Sequence, residues 1–177
     1  LIVAGIDLSV GSVMAFSGAV LGVALVDVGL PLWLACFLCL LCGLICGTAN
    51  GLISTRWSIP SFIVTLGMLE IARGGAYLTT NSQTKYIGNA VEIISAPLPG
   101  IGLSPALLIS ISIVLCAQLV LTRTVFGRYA VAIGSNEEAV HLSGINVRFW
   151  KLLVFAVSGL LAGLGGLFHV AYLQSAD

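Results

Sequence analysis

A polar, glycine-flanked segment, GIDLSVGS at 5–12, joins two apolar stretches near the start of the chain. A helix that starts near Leu8 leaves several backbone N–H groups without partners at a depth where water is scarce. The carboxyl group of Asp7 can accept hydrogen bonds from these groups, and a negative charge suits the positive end of a helix. The segment therefore predicts a structural cap or a broken helix that lines a polar path, and the two roles are compatible.

A second polar pair, Glu70 and Arg73, lies inside an otherwise apolar segment at 61–78. Their spacing of three residues places them on one face of a helix, where they can form an ion pair. An isolated charge at the centre of a bilayer costs about 3 kcal/mol on insertion scales, and pairing reduces this cost. We interpret the pair as a structural anchor of its helix or, alternatively, as part of a pathway or gate.

Cysteines and histidines raise the question of a metal site. Four cysteines have the C-x2-C-x2-C-x3-C spacing of bacterial ferredoxins, namely Cys36, Cys39, Cys42 and Cys46. The intervening residues are apolar and the segment is typical of one continuous helix, which cannot wrap four thiolates around a cluster. We therefore predict a packing stripe of small side chains. No second histidine, cysteine or carboxylate stands at metal-ligand spacing from His169, which we interpret as a packing residue, and we interpret His141 as a docking-face or solvent residue. No nucleophile, phosphate-loop or metal-ligand motif occurs, so we expect neither a metal site nor catalytic residues.

The segment 123–150 carries most of the basic residues and includes GSNEEAVHLSGI at 134–145. This stretch predicts a short helix, since Ser135 or Asn136 can cap it, Glu137 and Glu138 suit its first turn, and Gly144 can end it. Its apolar residues recur every three positions, namely Ala139, Leu142 and Ile145. An apolar face outside the membrane needs a partner, which is either the membrane surface or a cytoplasmic protein.

These residues are positioned by elements that composition identifies as membrane helices. Of the 177 residues, 59% are hydrophobic and 8% are charged, whereas soluble domains have about 25% charged residues. In hydrocarbon only helices and closed barrels satisfy the backbone, and the long continuous apolar stretches lack the alternation of barrel strands. We predict an all-α, polytopic transmembrane bundle with about five spans of roughly 20 residues. The spans are 8–26, 31–54, 61–78, 105–122 and 151–173.

Basic residues predict the orientation of these spans. Arg56 lies in one short loop, and further arginines and Lys151 lie in or beside 123–150. If those loops are cytoplasmic, 27–31 and 79–104 are external and every span alternates. Zero net charge gives no indication of a nucleic-acid partner. Because the chain starts at Leu1 without methionine and stops at Asp177 after an apolar run, we expect a fragment of a longer protein in which 1–177 is one transmembrane domain.

Glycines at intervals of four residues predict closely packed helices. One series lies in the second span, at Gly43, Gly47 and Gly51, and another in the last span, at Gly159 and Gly163. Small residues at this spacing let helix backbones approach each other. The pattern indicates a compact bundle and carries no information on function by itself.

Several motifs follow one another along the chain: GIDLSVGS at 5–12, ANGLI at 49–53, IPSFIVTLG at 59–67, and RG at 73–74. TVFGR at 124–128, AIG at 132–134, NEEA at 136–139 and LSGI at 142–145 continue the series. In order and spacing they resemble bacterial ABC permeases for ribose, xylose, galactose and arabinose. Ser135, Val140 and His141 depart from the usual family pattern.

The resemblance implies a permease subunit in the bacterial inner membrane that is not itself an enzyme. It implies ABC ATPase subunits that bind ATP and magnesium, so that this chain holds no cofactor. It also implies a second permease subunit, identical or paralogous, and an external sugar-binding protein. The residues implied to couple the permease to the ATPase are Asn136, Glu137, Glu138, Ala139, Leu142, Ser143, Gly144 and Ile145.

The function we predict is ATP-driven import of a monosaccharide by alternating access, which requires the solute to contact two states differently. The polar candidates for the path are Asp7, Ser9, Ser12, Asn50, Thr65, Glu70 and Arg73. An ion-coupled secondary transporter is an alternative, since it also has broken helices and intramembrane charges. An ABC permease for another solute, such as branched-chain amino acids, is a further alternative, whereas no filter motif supports a channel.

Overall fold

The computed structural model describes residues 2–98, 100 and 102–176, so the two chain ends, Leu1 and Asp177, lie outside the described residues. The chain is helical almost throughout. Its helices are α1 (Val10–Val26), α2 (Leu32–Arg56), α3 (Ser61–Thr80), α4 (Glu92–Ser95), α5 (Pro105–Arg123), α6 (Val125–Ser135), α7 (Glu137–Leu142) and α8 (Val147–Leu173). A 3-10 turn lies at Gly88–Val91, and the short strands β1 (Lys85–Tyr86) and β2 (Ser175–Ala176) pair antiparallel.

The five predicted spans are helices, which confirms the predicted all-α membrane bundle. Within the described residues, three helices are long and apolar enough to cross a membrane, namely α2, α5 and α8. Helix α1 is apolar but has 17 residues. Helix α3 has 20 residues, and the charged side chains of Glu70 and Arg73 lower its mean hydropathy.

The core of the bundle is the contact between α2 and α8, the most extensive in the structure. A Cβ atom at Gly43 would overlap the carbonyl oxygen of Gly159 and lie 2.9 Å from the backbone nitrogen of Gly163. Helix α2 runs unbroken through the four cysteines, as predicted, and the thiol of Cys39 donates to the carbonyl of Gly163 over 3.3 Å. The predicted glycine series therefore meet each other directly, backbone against backbone.

The two ends of the bundle are tied by different contacts. At one end Lys85 forms a 2.9 Å ion pair with Asp27, which joins the two loops predicted to be external. Strand β1 also pairs with β2 directly after α8, so the end of α8 lies there too. At the other end Lys151 pairs with Glu137. This arrangement agrees with the alternation predicted from the basic residues.

The segment 123–150 is more regular than predicted. Besides the expected short helix α7, it contains the eleven-residue helix α6, which the sequence interpretation missed. Two glycines, Gly127 and Gly134, weaken the helical signal there because glycine is a poor helix former. Both are close-packed, since a Cβ at Gly134 would overlap the carbonyl of Ile2 and one at Gly127 that of Leu121.

Candidate functional site

The polar segment before α1 is held by side chains of α3. The backbone N–H of Ile6 donates to Ser61 Oγ over 3.0 Å, and that of Leu8 donates to Thr65 Oγ1 over 3.1 Å. The Thr65 hydroxyl in turn donates to the carbonyl of Ile6 over 3.3 Å. Helix α1 starts at Val10 rather than at the predicted Leu8, and these hydroxyl groups satisfy the backbone N–H groups ahead of it.

Asp7 joins this segment to α8. Its Oδ1 accepts hydrogen bonds from the backbone N–H and the hydroxyl of Ser9, over 3.0 and 2.7 Å, and its Oδ2 accepts one from Ser158 Oγ over 3.0 Å. Asp7 therefore accepts from the backbone just before α1, in line with the predicted cap. The sequence analysis did not predict the hydrogen bond between Asp7 and Ser158. The lone hydroxyl group of Ser158 within the apolar helix α8 was the feature that could have indicated it, because such a group needs a polar partner.

Three of the proposed path residues form a buried cluster behind Asp7. Asn50 Nδ2 donates to Ser9 Oγ over 3.0 Å, and the exposed fractions of Ser9, Asn50 and Thr65 are 1%, 1% and 0%. Their polar atoms hold α1, α2 and α3 together at one level. In this structure they position the helices and do not face open space.

The other path candidates lie apart from this cluster. Ser12 and Arg73 line a second cavity of about 520 Å³ between α1 and α3. Glu70 Oε1 and Arg73 Nη1 are 3.7 Å apart, which confirms the predicted ion pair. Both side chains are largely exposed, 68% for Glu70 and 58% for Arg73, so the pair lies on the outside of this bundle.

A larger cavity of about 1670 Å³ separates α5 from α8. Helix α5 has no buried residue in the described part of the chain and packs mainly on α6 and α4. Apolar side chains dominate the cavity wall, while Asp7 and Ser158 lie at one polar spot. Glu137, Arg148 and Lys151 form another, and Lys151 and Ser158 are about 10 Å apart along α8. The cavity therefore extends from the charged end of the bundle to Asp7.

Helix α7 is capped at its N-terminus and anchored to its neighbours by an ion pair and an apolar contact. Asn136 Oδ1 accepts a hydrogen bond from the backbone N–H of Ala139 over 3.0 Å. Asn136 is therefore the N-cap of α7, a role for which the sequence offered either Ser135 or Asn136. Glu137 Oε2 lies 2.6 Å from Lys151 Nζ on α8. Val140 is buried against Val3 and a group of apolar residues of α6 and α8, namely Ala130, Ile133 and Val147.

The residues of the predicted apolar face of α7 are partly packed inside the chain and partly exposed. Ile145 packs into the same apolar group as Val140, whereas Ala139 is exposed and Leu142 is 80% exposed. The structure thus corrects the prediction, because Val140 is the residue that anchors the helix. Leu142 is left as a large apolar side chain on the outside, next to Ser143 and Gly144, which end the helix.

Asp7→Ala is expected to lower the free energy of unfolding by at least roughly 3 kcal/mol, since each of the three lost hydrogen bonds to the carboxyl group contributes about 1.5–3 kcal/mol and bonds in one network do not simply add. Asp7→Asn keeps an oxygen for Ser9 and an amide for Ser158, so we expect a cost of about 1 kcal/mol. Thermal unfolding of the purified protein in detergent measures both. Equal melting of the wild type and the alanine variant would contradict the role of Asp7 in joining α1 to α8.

Known proteins resemble the chain over its whole length. A sequence-family profile described as the permease component of the branched-chain amino acid transport system matches residues 1–177. The ribose import permease protein RbsC of Haemophilus influenzae is 37% identical over 100% of this chain and 56% of its own length. RbsC of Escherichia coli K12 is 36% identical over the same shares. The L-arabinose ABC transporter permease protein AraH of Azospirillum brasilense is 33% identical over 97% of this chain and 53% of its own length.

The chain thus spans somewhat more than half the length of these relatives. No solved structure matches it significantly. Its apolar helices, together with the family match, make it a multi-pass protein of the inner membrane. The match over every residue shows that the chain belongs to the family of permease components of branched-chain amino acid transport systems.

Proposed function

We propose that the chain is the membrane-spanning part of a permease subunit in an ATP-driven monosaccharide importer. The observation that carries this proposal is the similarity over 97–100% of the chain to permeases named for ribose and arabinose. The family description names branched-chain amino acids instead, so import of such amino acids is the second candidate. Neither the family nor the names of the relatives favour an ion-coupled secondary transporter.

Helix α7 is the surface on which we expect a cytoplasmic ABC ATPase to dock. Ala139 and Leu142 offer an apolar patch, and Glu138 is an exposed carboxyl group beside it. In this proposal ATP and magnesium bind to the ATPase, and this chain holds no cofactor. A second permease subunit completes the membrane part, and a sugar-binding protein delivers the solute at the end where Lys85 pairs with Asp27.

The contacts around α7 support a route by which ATPase motion reaches the bundle. Val140 packs against Val3, which lies four residues before Asp7. Asp7 is bonded to Ser158 of α8, and the neighbouring backbone of Leu8 is bonded to Thr65 of α3. In this proposal a shift of α7 is passed to segment 3–9 and, through these bonds, to the start of α1 and to α3 and α8. Rigid packed elements that move together are the usual means of such transmission.

Within this proposal the polar residues have two kinds of role. Asp7 lines the large cavity, while Ser12 and Arg73 line the smaller one, so these three are candidates to touch the solute. Ser9, Asn50 and Thr65 are buried and act as positioning residues for the helices. A path of this kind binds weakly in each state, because only a difference in contacts between states drives transport.

The test of the importer proposal is affinity purification of the full-length protein from its native membrane in mild detergent, followed by mass spectrometry. We expect a P-loop ATPase in roughly stoichiometric amount. Intact, folded permease without an ATPase would overturn the proposal. Uptake of labelled monosaccharides and of labelled leucine, compared between cells with and without the protein, then separates the two candidate solutes.

A further inference from the structure

The segment that precedes α1 lies deep in the bundle although it is not helical. Residues 5–9 have no regular secondary structure. Asp7 is bonded to Ser158, which lies eleven residues from the start of α8, or about 16 Å along that helix. Non-helical backbone at such a depth is tolerated only where it is buried in protein or borders a water-filled cavity. The described residues leave Ile6 and Leu8 45% and 46% exposed, so the segment borders open space rather than a packed core.

This segment separates the two cavities of the structure. Residues 2–7 line the large cavity between α5 and α8, whereas Leu8 lines the small cavity between α1 and α3. Ile6 and Leu8 are apolar side chains of similar exposure only two positions apart, yet they border different cavities. At this point the wall between the cavities therefore consists of the backbone around Asp7 and the side chain of Leu8.

The two cavities lie end to end across the bundle. On α8 the large cavity extends from Arg148, near the predicted cytoplasmic end, to Ser158 beside Asp7, which is about 15 Å. The backbone of Leu8 is bonded to Thr65, and the small cavity reaches from there to Tyr77, about 18 Å further towards the predicted external end of α3. Together these lengths are close to the hydrocarbon thickness of a bilayer, about 30 Å.

Polar groups lie in both cavities. Asp7 and Ser158 line the large cavity, and Ser12 and Arg73 line the small one. Cavities that stay empty of water are lined by apolar groups alone, whereas polar groups in a cavity bind water or a polar solute. The two spaces are therefore suited to be the two halves of one path for a hydroxylated solute.

The wall is held by single hydrogen bonds and not by packing. Thr65 holds the backbone of Leu8, and Ser158 holds the carboxyl group of Asp7. Ahead of these bonds, Ala4 has a φ of 53°, a left-handed conformation that is unfavourable for a residue with a Cβ atom. Such conformations cluster in segments that switch between arrangements. The wall thus has contacts that can be exchanged and a strained residue beside it.

We propose that Asp7 and Leu8 form the closed barrier of the solute path, with the small cavity as its external half and the large cavity as its cytoplasmic half. The side chain of Leu8 closes the external half, and Asp7 is the first polar group on the cytoplasmic side. Passage requires the bonds to Thr65 and Ser158 to break and the segment to move. The inference rests on the proposed function, since alternating access requires a barrier between the two halves.

Labelling of two matched positions in the full-length protein tests the barrier. Ile6→Cys and Leu8→Cys replace exposed apolar side chains and leave the backbone hydrogen bonds of both residues in place. Right-side-out and inside-out membrane vesicles, washed free of nucleotide, are treated with a membrane-impermeant maleimide, and mass spectrometry identifies the modified cysteines. We expect position 6 to react at least about fivefold more from the cytoplasmic face, and position 8 at least about fivefold more from the external face.

Two further positions control for the sidedness of the vesicles. Native Cys116 is exposed and lines the large cavity, so it should react from the cytoplasmic face. Tyr77→Cys lies at the external end of the small cavity and should react from the external face. Gly11→Cys repeats the test at position 8, because Gly11 also lines the small cavity and a Cβ there meets no described atom within 4 Å.

Reaction of positions 6 and 8 from the same face would overturn the proposal, because the segment would then not divide a path. Reaction of neither position would also overturn it, since the segment would then be covered by protein or lipid on both sides. These outcomes do not depend on ATP or on the identity of the solute.

The proposed function is scored separately, by repeating the labelling with ATP in vesicles that contain the partner ATPase. Opposite labelling of positions 6 and 8 that ATP does not change would leave the barrier standing and remove only the ATP-driven function. ATP-dependent uptake of a labelled monosaccharide, together with labelling of both positions from one face, would remove only the barrier.

Discussion

Replacing Gly159 with leucine is expected to prevent the bundle from forming, and replacing it with alanine is expected to weaken it strongly. A Cβ atom at Gly159 would overlap the carbonyl oxygen of Gly43 and lie 2.7 Å from the backbone nitrogen of Gly47. Both obstacles are helix backbone, which cannot rotate away as a side chain can, so α2 and α8 must move apart. Overpacking a well-packed contact costs about 1–3 kcal/mol, and we expect the upper end, about 3 kcal/mol, for Gly159→Ala.

The measurement is the yield and thermal midpoint of the full-length protein by size-exclusion chromatography in detergent. Gly11→Leu is the matched control, because a Cβ at Gly11 on α1 meets no atom of the described residues within 4 Å. We expect the Gly11 variant to elute and melt like the wild type. A Gly159→Leu variant that elutes as a single peak with an unchanged midpoint would disprove the backbone contact between α2 and α8.

The bundle itself was predictable because composition and helical spacing are local properties of the sequence. Apolar runs predicted the five helices, and glycine spacing predicted which sides of α2 and α8 pack closely. Spacing along one helix does not name the helix on the other side, so the pairing of Gly43 with Gly159 and Gly163 came only from the structure. The cysteine spacing alone matches an iron–sulfur motif. It indicates a packing stripe only because the segment is one continuous helix, as α2 is in the structure.

The sequence predicted which polar residues belong to the site but not which residues they form hydrogen bonds with. Asp7 was expected to accept from the backbone ahead of α1, and it does, but its second partner Ser158 lies 151 positions away. Ser9, Asn50 and Thr65 were expected along the solute path because a path for a sugar should be lined by polar groups. In the structure Ser9 and Asn50 bond to each other and Thr65 bonds to the backbone, while Asn50 Oδ1 is buried without a hydrogen bond to a described residue. Sequence alone cannot distinguish such a buried cluster from a wet path.

Leu142→Glu is expected to weaken the association with the ATPase at least tenfold while leaving the fold unchanged, if α7 docks as we propose. Leu142 is 80% exposed, so its replacement removes little from the packing of this chain. Burying a leucine side chain in a groove of the partner contributes about 1.5–3 kcal/mol, and a carboxyl group in that groove adds a desolvation cost. Each 1.4 kcal/mol corresponds to about a factor of ten in affinity.

The amount of ATPase recovered with the tagged full-length permease measures this association, and thermal unfolding in detergent checks the fold. Leu98→Glu is the matched control, since Leu98 follows α4 in the segment predicted to be external and is also exposed. We expect normal ATPase recovery with that control. Unchanged recovery with Leu142→Glu would exclude the exposed side of α7 as the docking surface.

Variants of the two acidic residues of α7 distinguish a role of this helix in docking the ATPase from a role in its attachment to α8. Glu138 is exposed and has no bond to other described residues, so Glu138→Lys alters only the outer surface of α7. Glu137 is bound to Lys151, so Glu137→Lys also sets two cations against each other and loosens α7 from α8. If α7 works by direct contact, both Glu138→Lys and the double variant lose the ATPase while remaining in the membrane. If only the change at Glu137 has an effect, α7 acts through its attachment to α8, and the docking surface lies elsewhere.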